Sequence, residues 1–293
     1  MDLKISKNKI SGSYIISLES LESLKKYIRD YKESSDLTRF VDQTNKFGRA
    51  LIKEHPTMVS VRKKISLVIY YLKRLVKTNK KLHDIKILCI DKINELNEIA
   101  AKKQKNIGNL GSKLVFNHNK IITISASTSV KEILLSAHKL KRKFQVYCLE
   151  SRPLLEGTLF AEELASKGIQ THLITDASMA QNMPNINLVF CGADRLYESG
   201  FINKIGTFPL AMVAKIFRVP FYLACETDKI LKEIDRSIRF YPNDSKEVHN
   251  PNSKNLNVLN YYFESIPLEY VSKIICEEGV FETNEFSNWY LED

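Results

Sequence analysis

The chain has 293 residues, of which 44% are apolar, with only ten glycines and eight prolines. This composition excludes a low-complexity or collagen-like chain, and the length predicts a globular protein with about two domains. We find no apolar run of membrane-spanning length, and the segment Met1 to Lys4 lacks the apolar core of a signal peptide. We therefore expect a cytoplasmic protein with no membrane partner.

The formal net charge is +10 at pH 7. Lysine and arginine can neutralise phosphates and so give a salt-dependent affinity for nucleic acid. The lysines are spread along the chain, however, and no RNA-reading motif with interleaved aromatic residues accompanies them. The pattern favours solvated helix faces over a polyanion-binding patch, so nucleic acid is only a secondary candidate partner.

The five cysteines are odd in number and include no Cys-x-x-Cys pair. Most of them lie in apolar runs, where a reduced thiol packs as a small hydrophobic group. The six histidines show no metal-like spacing. The sequence therefore predicts a reduced chain with no disulfide framework, no metal site and no cofactor.

Helical periodicity dominates the first third of the chain, where apolar residues recur three or four positions apart. The predicted helices are Ser17 to Tyr31, Leu37 to Glu54, a third that begins after Pro56, and about Asp84 to Lys103. We expect Thr57 to cap the third helix, and two glycines indicate a turn or linker at Asn106 to Gly111. These features predict an N-terminal helical domain over residues 1–110.

Strand-like and helix-like segments alternate over residues 111–293. The predicted strands are Lys120 to Ser125, Phe144 to Glu150, Gln170 to Thr175, Asn187 to Ala193, Pro220 to Cys225 and Val258 to Phe263. The predicted helices are Val130 to Leu140, Thr158 to Ser166, a short one after Asp176, Thr207 to Phe217 and Leu268 to Cys276. The segment Tyr241 to Lys254 is predicted to be a loop. Such alternation predicts an α/β fold with a Rossmann-like, mostly parallel sheet covered on both faces.

A run of hydroxyl residues follows the first predicted strand, from Ser125 to Ser129. The hydroxyls of Ser127, Thr128 and Ser129, with the free N–H groups of a helix N-terminus, could form a phosphate-binding site. The alternative is that one of these residues only caps the helix. After the second strand, Arg152 offers a planar guanidinium that suits a phosphate, or that forms a structural ion pair.

The fourth predicted strand leads into Gly192-Ala193-Asp194, and Asn203-Lys204 follows shortly afterwards. Asp194 could act as an acid, a base or an orienting group, and Lys204 could stabilise a developing oxyanion. Alternatively, Asp194 caps its turn or pairs with Arg195, while Asn203 and Lys204 hold a loop. Glu226, at the end of the fifth strand, is a further candidate at the rim of the site.

These motifs together resemble the family of the alpha, beta and delta subunits of translation initiation factor 2B. The same family includes the isomerases that act on 5-methylthioribose-1-phosphate and ribose-1,5-bisphosphate. The resemblance runs from about Ile121 to Phe281 and continues weakly towards the N-terminus. Its motifs are Glu150-Ser151-Arg152-Pro153, Gly192-Ala193-Asp194, Asn203 to Thr207, Ala224 to Thr227 and Asn260 to Glu269. The resemblance implies a homodimer or higher oligomer formed through the Rossmann-like domain, and translation initiation factor 2 as a candidate partner.

The resemblance also implies a catalytic cysteine after the first strand, opposite the aspartate that corresponds to Asp194. Here Ser125 occupies the cysteine position, and Ile124 replaces a histidine. A serine hydroxyl does not ionise usefully near neutral pH, and we find no adjacent group in the sequence to assist it. The N-terminal Arg-Gly-Ala loop of the isomerases also has no counterpart.

We therefore predict a regulatory-subunit-like protein that binds a phosphorylated sugar or nucleotide without converting it. The alternative is an active aldose–ketose isomerase in which Asp194 works with Ser125 or with Lys204. A third interpretation is an RNA-associated scaffold that uses its basic surface.

Overall fold

The structure is a computed structural model that describes residues 12–32, 36–231 and 240–291. The chain divides after Lys102 into two compact units. The contact boundary therefore falls eight residues before the predicted domain limit at residue 110, and the roles assigned to the two domains remain predictions.

The N-terminal unit is helical in the part of the chain that the structure describes. Its helices are α1 (Ser13–Asp30), α2 (Leu37–Glu54), α3 (Val59–Leu75) and the first two-thirds of α4 (Leu82–Ser112). Leu21, Leu24 and Ile28 of α1 are fully buried, as the spacing predicted, and α1 packs against α3. The expected cap at Thr57 is wrong: the N-cap of α3 is Met58, which makes no side-chain hydrogen bond there.

The predicted turn at Asn106 to Gly111 is also wrong, because α4 continues through it to Ser112. Its two glycines allow a close approach to the following helix, α5 (Thr128–Lys139). A Cβ added at Gly111 would lie 2.5 Å from side-chain atoms of Ile133, and one at Gly108 would lie 2.8 Å from the Glu132 carbonyl oxygen. These glycines therefore serve helix packing instead of ending the helix.

The C-terminal unit is built on strands that alternate with helices. The strands are β1 (Lys120–Thr123), β2 (Gln145–Leu149), β3 (Gln170–Ile174), β4 (Leu188–Gly192), β5 (Arg195–Tyr197), β6 (Gly200–Lys204), β7 (Phe221–Ala224), β8 (Phe263–Pro267), β9 (Lys273–Cys276) and β10 (Gly279–Glu282). The remaining helices are α6 (Glu156–Ser166), α7 (Met179–Asn182), α8 (Thr207–Ile216) and α9 (Thr283–Leu291). The predicted α/β class with a mostly parallel sheet is confirmed.

The main sheet has the strand order β10-β9-β7-β4-β1-β2-β3, and only β10 runs antiparallel to its neighbour. Consecutive side chains of its central strands enter two separate apolar cores: Ile121 lies in one and Ile122 in the other. Both faces of the sheet are therefore covered, as expected for parallel strands. From β1 the chain adds β2 and β3 on one side, while β4 and β7 lie on the other. The strand order thus reverses between β1 and β4.

Three short strands form a second, antiparallel sheet in the order β5-β6-β8. Two predictions near the C-terminus are wrong because of strand pairing, one in this sheet and one in the main sheet. The strand expected over Val258 to Phe263 begins instead at Phe263, where it pairs with β6, so that Lys204 lies opposite Phe263. The helix expected over Leu268 to Cys276 is a single 3-10 turn, Leu268–Tyr270, followed by β9. Ile274 and Ile275 are fully buried in β9, which pairs with β7, so pairing with the sheet overrides the local helical pattern.

Candidate functional site

The candidate site lies at the carboxyl ends of β1, β2 and β4, which are neighbours in the sheet. In an open parallel sheet, ligands bind beyond the carboxyl ends of the strands, at the point where the strand order reverses. Ser125 follows β1, Arg152 follows β2 and Asp194 follows β4. The topology therefore brings the predicted loops to one edge of the sheet.

Two glycines show how closely these loops approach one another. A Cβ added at Gly192 would lie 2.7 Å from the Cβ of Ser127, so the first turn of α5 packs directly against the Gly-Ala-Asp turn. Gly206 has φ +97° and precedes α8, and a Cβ there would lie 3.0 Å from Ile124, the residue before Ser125. The segments that carry Ser125, Asp194 and Lys204 therefore form one compact site.

Ser125 adopts a left-handed backbone conformation with φ +65°, and Ser151 does so with φ +64°. The Ser125 N–H donates to Ser151 Oγ at 2.8 Å, and the Ser151 hydroxyl donates to the Leu149 carbonyl at 3.1 Å. Non-glycine residues pay for this conformation in free energy, and such residues concentrate at functional sites. The strain motivates a functional role for the turn that presents the half-buried Ser125 side chain.

The Ser125 hydroxyl donates to Glu156 Oε1 at 3.2 Å. The same carboxylate oxygen lies 2.8 Å from Lys204 Nζ, and both side chains of this ion pair are buried. Glu156 is therefore the adjacent acid–base group that the sequence analysis did not find. It is 31 residues from Ser125 in the chain, but it opens α6, the helix that follows β2, and β2 neighbours β1. A carboxylate in the first turn of that helix was the available signal.

Burial raises the pKa of the Glu156 carboxyl above its usual value, although Lys204 and the Ser125 hydroxyl favour the charged form. Lys204 Nζ also lies 5.2 Å from the centroid of the Tyr262 ring, whose hydroxyl donates to Glu247. The lysine is therefore held between a carboxylate and an aromatic face on the buried strand β6. It does not lie in a loop.

Asn203 lies next to Lys204 and is also buried. Its side-chain amide donates to Cys191 Sγ at 3.2 Å and to Thr207 Oγ1 at 3.0 Å. These bonds connect β6 to the end of β4 and to the first turn of α8. They give Asn203 a positioning role that stands alongside the predicted ligand contact.

Asp194 is half-buried, and its N–H donates to the Ile202 carbonyl at 2.9 Å, which fixes the Gly-Ala-Asp turn on β6. Burial raises the pKa of the nearby Cys191 thiol, and the negative charge of Asp194 acts in the same direction. Cys191 and Cys148 are both buried, and burial raises the pKa of Cys148 to about 12. Neither thiol is therefore poised to supply the thiolate that is missing at position 125.

The three hydroxyl residues Ser127, Thr128 and Ser129 after β1 lie in different environments. Ser127 is the N-cap of α5, where its side chain accepts from the Val130 N–H at 3.4 Å, as the alternative interpretation held. Thr128 is half-buried. Ser129 is buried, and its hydroxyl has no hydrogen-bond partner among the described residues. Binding of phosphate by these three residues stays a prediction.

The side chain of Arg152 is exposed. Its backbone N–H and that of Ser151 donate to the two oxygens of Asp176, each at 2.8 Å, while its guanidinium approaches the Val248 carbonyl at 3.4 Å. The predicted phosphate contact of Arg152 therefore remains available. Glu226, by contrast, is fully buried and accepts a 2.6 Å hydrogen bond from Gln104, which indicates a structural role.

Among the described residues, no group of three or more histidine, cysteine, aspartate or glutamate side chains has a geometry that could hold a metal ion. None of the described helices is both long and apolar enough to cross a membrane.

An open α/β sheet with polar side chains at its switch point defines the class of ligand-binding α/β proteins. Within that class, the sequence profile of the initiation factor 2 subunit family matches residues 9–283, and the chain belongs to this family. The family identified from the motifs is therefore confirmed.

Several relatives are named isomerases. The chain is 28% identical to ribose 1,5-bisphosphate isomerase of Methanocaldococcus jannaschii, over 98% of this chain and 92% of the relative. It is 30% identical to the enzyme of the same name from Pyrococcus furiosus, over 94% and 88% of the two chains. It is 27% identical to methylthioribose-1-phosphate isomerase of Trichoplax adhaerens, over 96% and 84%.

Among solved structures, the translation initiation factor eIF-2B of Pyrococcus horikoshii OT3 aligns with a TM-score of 0.77 and 26% identity, over 95% of this chain and 94% of that one. A subunit of the tetrameric eIF2B beta2-delta2 complex from C. thermophilum aligns with a TM-score of 0.69 over 98% and 91%. Its identity is only 17%, so it shows the fold alone.

These comparisons correct the main functional prediction. We expected a non-catalytic regulatory subunit, because serine replaces the catalytic cysteine. Relatives that match nearly the whole chain are instead named ribose 1,5-bisphosphate isomerase and methylthioribose-1-phosphate isomerase. The finding favours the alternative, an isomerase.

Proposed function

We propose that the protein is an aldose–ketose isomerase that converts a ribose-type sugar 1-phosphate into the corresponding ketose 1-phosphate. The observation that carries the proposal is the hydrogen-bonded group of Ser125, Glu156 and Lys204 at the end of β1, beside the strand that leads to Asp194. Acid–base groups on neighbouring loops at a switch point are what an isomerase requires, because both carbons that exchange a proton must be reached from one site.

The proton transfers of the reaction determine which roles the side chains must fill. In a cyclic sugar 1-phosphate, the ring oxygen receives a proton as the bond from C1 to that oxygen breaks. The C2 proton is then removed to give an enol, after which a proton returns to C1 and the C2 hydroxyl loses its proton to become the ketone. Protons gained and lost balance, and no oxidant is needed. Asp194, which is half-buried, is the group we assign to the carbon-bound proton.

Anion binding completes the site. We assign the phosphate to the first turn of α5, with Thr128 and Ser129, and to Arg152. The free N–H groups of a helix start attract phosphate, and the exposed Arg152 guanidinium adds a charged fork. Lys204 and Asn203 are buried more deeply, and we assign them to the reacting end of the sugar.

The test is direct. Purified protein is incubated with ribose-1,5-bisphosphate or 5-methylthioribose-1-phosphate, and ketose formation is followed by NMR. We expect turnover, and Asp194→Asn should lower kcat by roughly 100-fold or more, as for loss of a general acid–base group. Asp91→Asn, an exposed position on α4, is the matched control and should leave the rate unchanged. Wild-type protein that binds these sugars but yields no ketose contradicts the proposal.

We also infer that the protein assembles into a dimer or larger oligomer. The apolar side chains of Met212, Ile216 and Phe217, on and after α8, support this, because they expose 42%, 72% and 43% of their surface. Light scattering should give a mass of at least two chains, and a strictly monomeric solution contradicts it.

A further inference from the structure

A serine at position 125 leaves the proposed reaction short of one proton carrier. Two of its four proton transfers involve oxygen atoms of the sugar: the ring oxygen gains a proton, and the C2 hydroxyl loses one. Asp194 is occupied with the transfer between C2 and C1. A serine hydroxyl cannot serve alone, because it neither ionises nor becomes protonated near neutral pH.

Glu156 lies where it can exchange these protons with the Ser125 hydroxyl. Its Oε1 accepts from the Ser125 hydroxyl at 3.2 Å, and its Oε2 is buried with no hydrogen-bond partner among the described residues. Glu156 is only 6% exposed, whereas Ser125 is half-buried and so is the more accessible of the two. A ligand in the site would thus meet the hydroxyl first, with the carboxyl behind it.

The backbone around Glu156 is built to hold this position. Leu155, the N-cap of α6, adopts a left-handed conformation with φ +58°. Gly157 follows, and a Cβ there would lie 2.7 Å from Ser151 Oγ and closer still to the Leu149 carbonyl oxygen. Only glycine lets the start of α6 press against the end of β2, and this contact places Glu156 behind Ser125.

We propose that Ser125 and Glu156 form a two-residue proton relay that takes the place of the missing thiol. This inference rests on the proposed isomerase function. Ser125 is the catalytic residue that touches the sugar, and Glu156 is a positioning and proton-storing residue that acts through it. Lys204 stabilises the carboxylate that remains when the proton has left.

Each step of the relay is balanced. When Glu156 is protonated, the hydrogen bond between the two side chains reverses: the carboxyl donates to Ser125 Oγ, while the Ser125 hydroxyl donates to the ring oxygen as the bond from C1 to that oxygen breaks. Asp194 carries the C2 proton to C1. The C2 hydroxyl then gives its proton to Ser125 Oγ, which passes its own to Glu156. Both carboxyl groups end in the state in which they began.

The physical setting agrees with this cycle. Burial raises the pKa of Glu156, so more of it is protonated near neutral pH than of an exposed glutamate. Since the first step needs the protonated form, the rate through the relay should fall as the pH rises through that pKa.

The test compares wild-type protein with Ser125→Ala, Glu156→Gln and the double variant, using ribose-1,5-bisphosphate and pH profiles of kcat and kcat/KM. We expect each single variant to lose roughly 100-fold in kcat at low pH, with a smaller loss at high pH. The double variant should lose no more than either single variant, because one relay is broken in all three. Glu163→Gln, an exposed position on the same helix, is the matched control.

The outcomes separate the two proposals. A wild-type protein without turnover contradicts both proposals, because the relay rests on the proposed isomerase function. If the wild type is active and Ser125→Ala has the same kcat and pH profile, only the relay is contradicted. This comparison can still be made if Glu156→Gln does not fold. An increase in KM at unchanged kcat also contradicts the relay, since it indicates a binding role alone.

Discussion

Ser125 shows how a single side chain depends on its surroundings. On its own, its hydroxyl is a poor acid and a poor base. The structure places the buried Glu156 carboxyl 3.2 Å away, and Lys204 lies beyond it. The sequence supplied Ser125, Asp194, Asn203 and Lys204 through family motifs, and the structure brings the loops that carry them together. The sequence did not identify Glu156, because its contact with Ser125 depends on β1 and β2 being neighbours, and local sequence does not determine strand order.

The cysteine that the family resemblance implies at this position suggests a substitution. Ser125→Cys should raise kcat, because a thiol ionises near pH 8.5 and a hydroxyl does not. We expect a gain of roughly tenfold at pH 8 that shrinks towards pH 6.5, measured as ketose formation. Ser166→Cys, an exposed position at the end of α6, should leave the rate unchanged. A Ser125→Cys protein no faster than wild type at pH 8 would argue against a proton-carrying role for position 125.

At the level of elements, helices with strong periodicity and the buried parallel strands β1, β2, β3, β4 and β7 were predictable, whereas strands that only their pairing defines were not. The predicted helix Leu37 to Glu54 coincides with α2 because its apolar stripe and its Asp36 cap are local features. The segment β9 reads as helical in isolation, and only its place beside β7 makes it a strand. β6, which carries Asn203 and Lys204 and pairs with β8, was missed for the same reason.

The start of α6 gives a prediction at this scale. Gly157→Ala should destabilise the protein by about 2–4 kcal/mol, since the new methyl group would overlap the Leu149 carbonyl and force α6 away from β2. Chemical denaturation monitored by circular dichroism measures the loss. Activity should fall further than stability alone explains, because Glu156 moves with the helix.

The matched control on the same helix is Glu162→Ala, at an exposed position. It should change the free energy of unfolding by no more than about 0.5 kcal/mol. If Gly157→Ala proved equally mild, the close packing of α6 on β2 would not hold in solution.

Across the whole molecule, the five cysteines are free and buried in both units. Burial raises the pKa of Cys89 and Cys148 to about 12 and that of Cys276 to about 11, and it also raises the pKa of Cys225. A composition without paired motifs predicts reduced thiols, and the structure adds that all five are buried. What composition could not give is their burial, which follows from helix packing for Cys89 and from the packing of the sheet domain for the other four.

These thiols should be unreactive towards thiol reagents in the native protein. At pH 8, Ellman's reagent should release almost no product until denaturant is added, after which all five cysteines react. Stability should also depend on pH. Because the folded pKa exceeds the unfolded value, the stabilisation is complete below about pH 8.5 and is lost above it, at about 1.4 kcal/mol per pH unit for each thiol.

Cys148→Ala provides the comparison for this effect. Its melting temperature should fall less steeply than that of wild type between pH 8.5 and 10, whatever its absolute value. Fast labelling of native wild-type protein at pH 8 would show that at least one thiol is accessible, contrary to the structure.

The strand β8 has a consequence for how this gene product could be re-engineered. It anchors β6, with Asn203 opposite Glu264, and the Glu264 carboxylate accepts from the Phe208 N–H at 2.8 Å, so it also secures the entry to α8. The preceding residues 252–257 are exposed and belong to no helix or strand. Peptide tags or reporter domains could therefore be inserted there without disturbing Lys204. A chain break between residues 263 and 267 would instead disrupt β8, the strand that pairs with β6 and so supports Lys204.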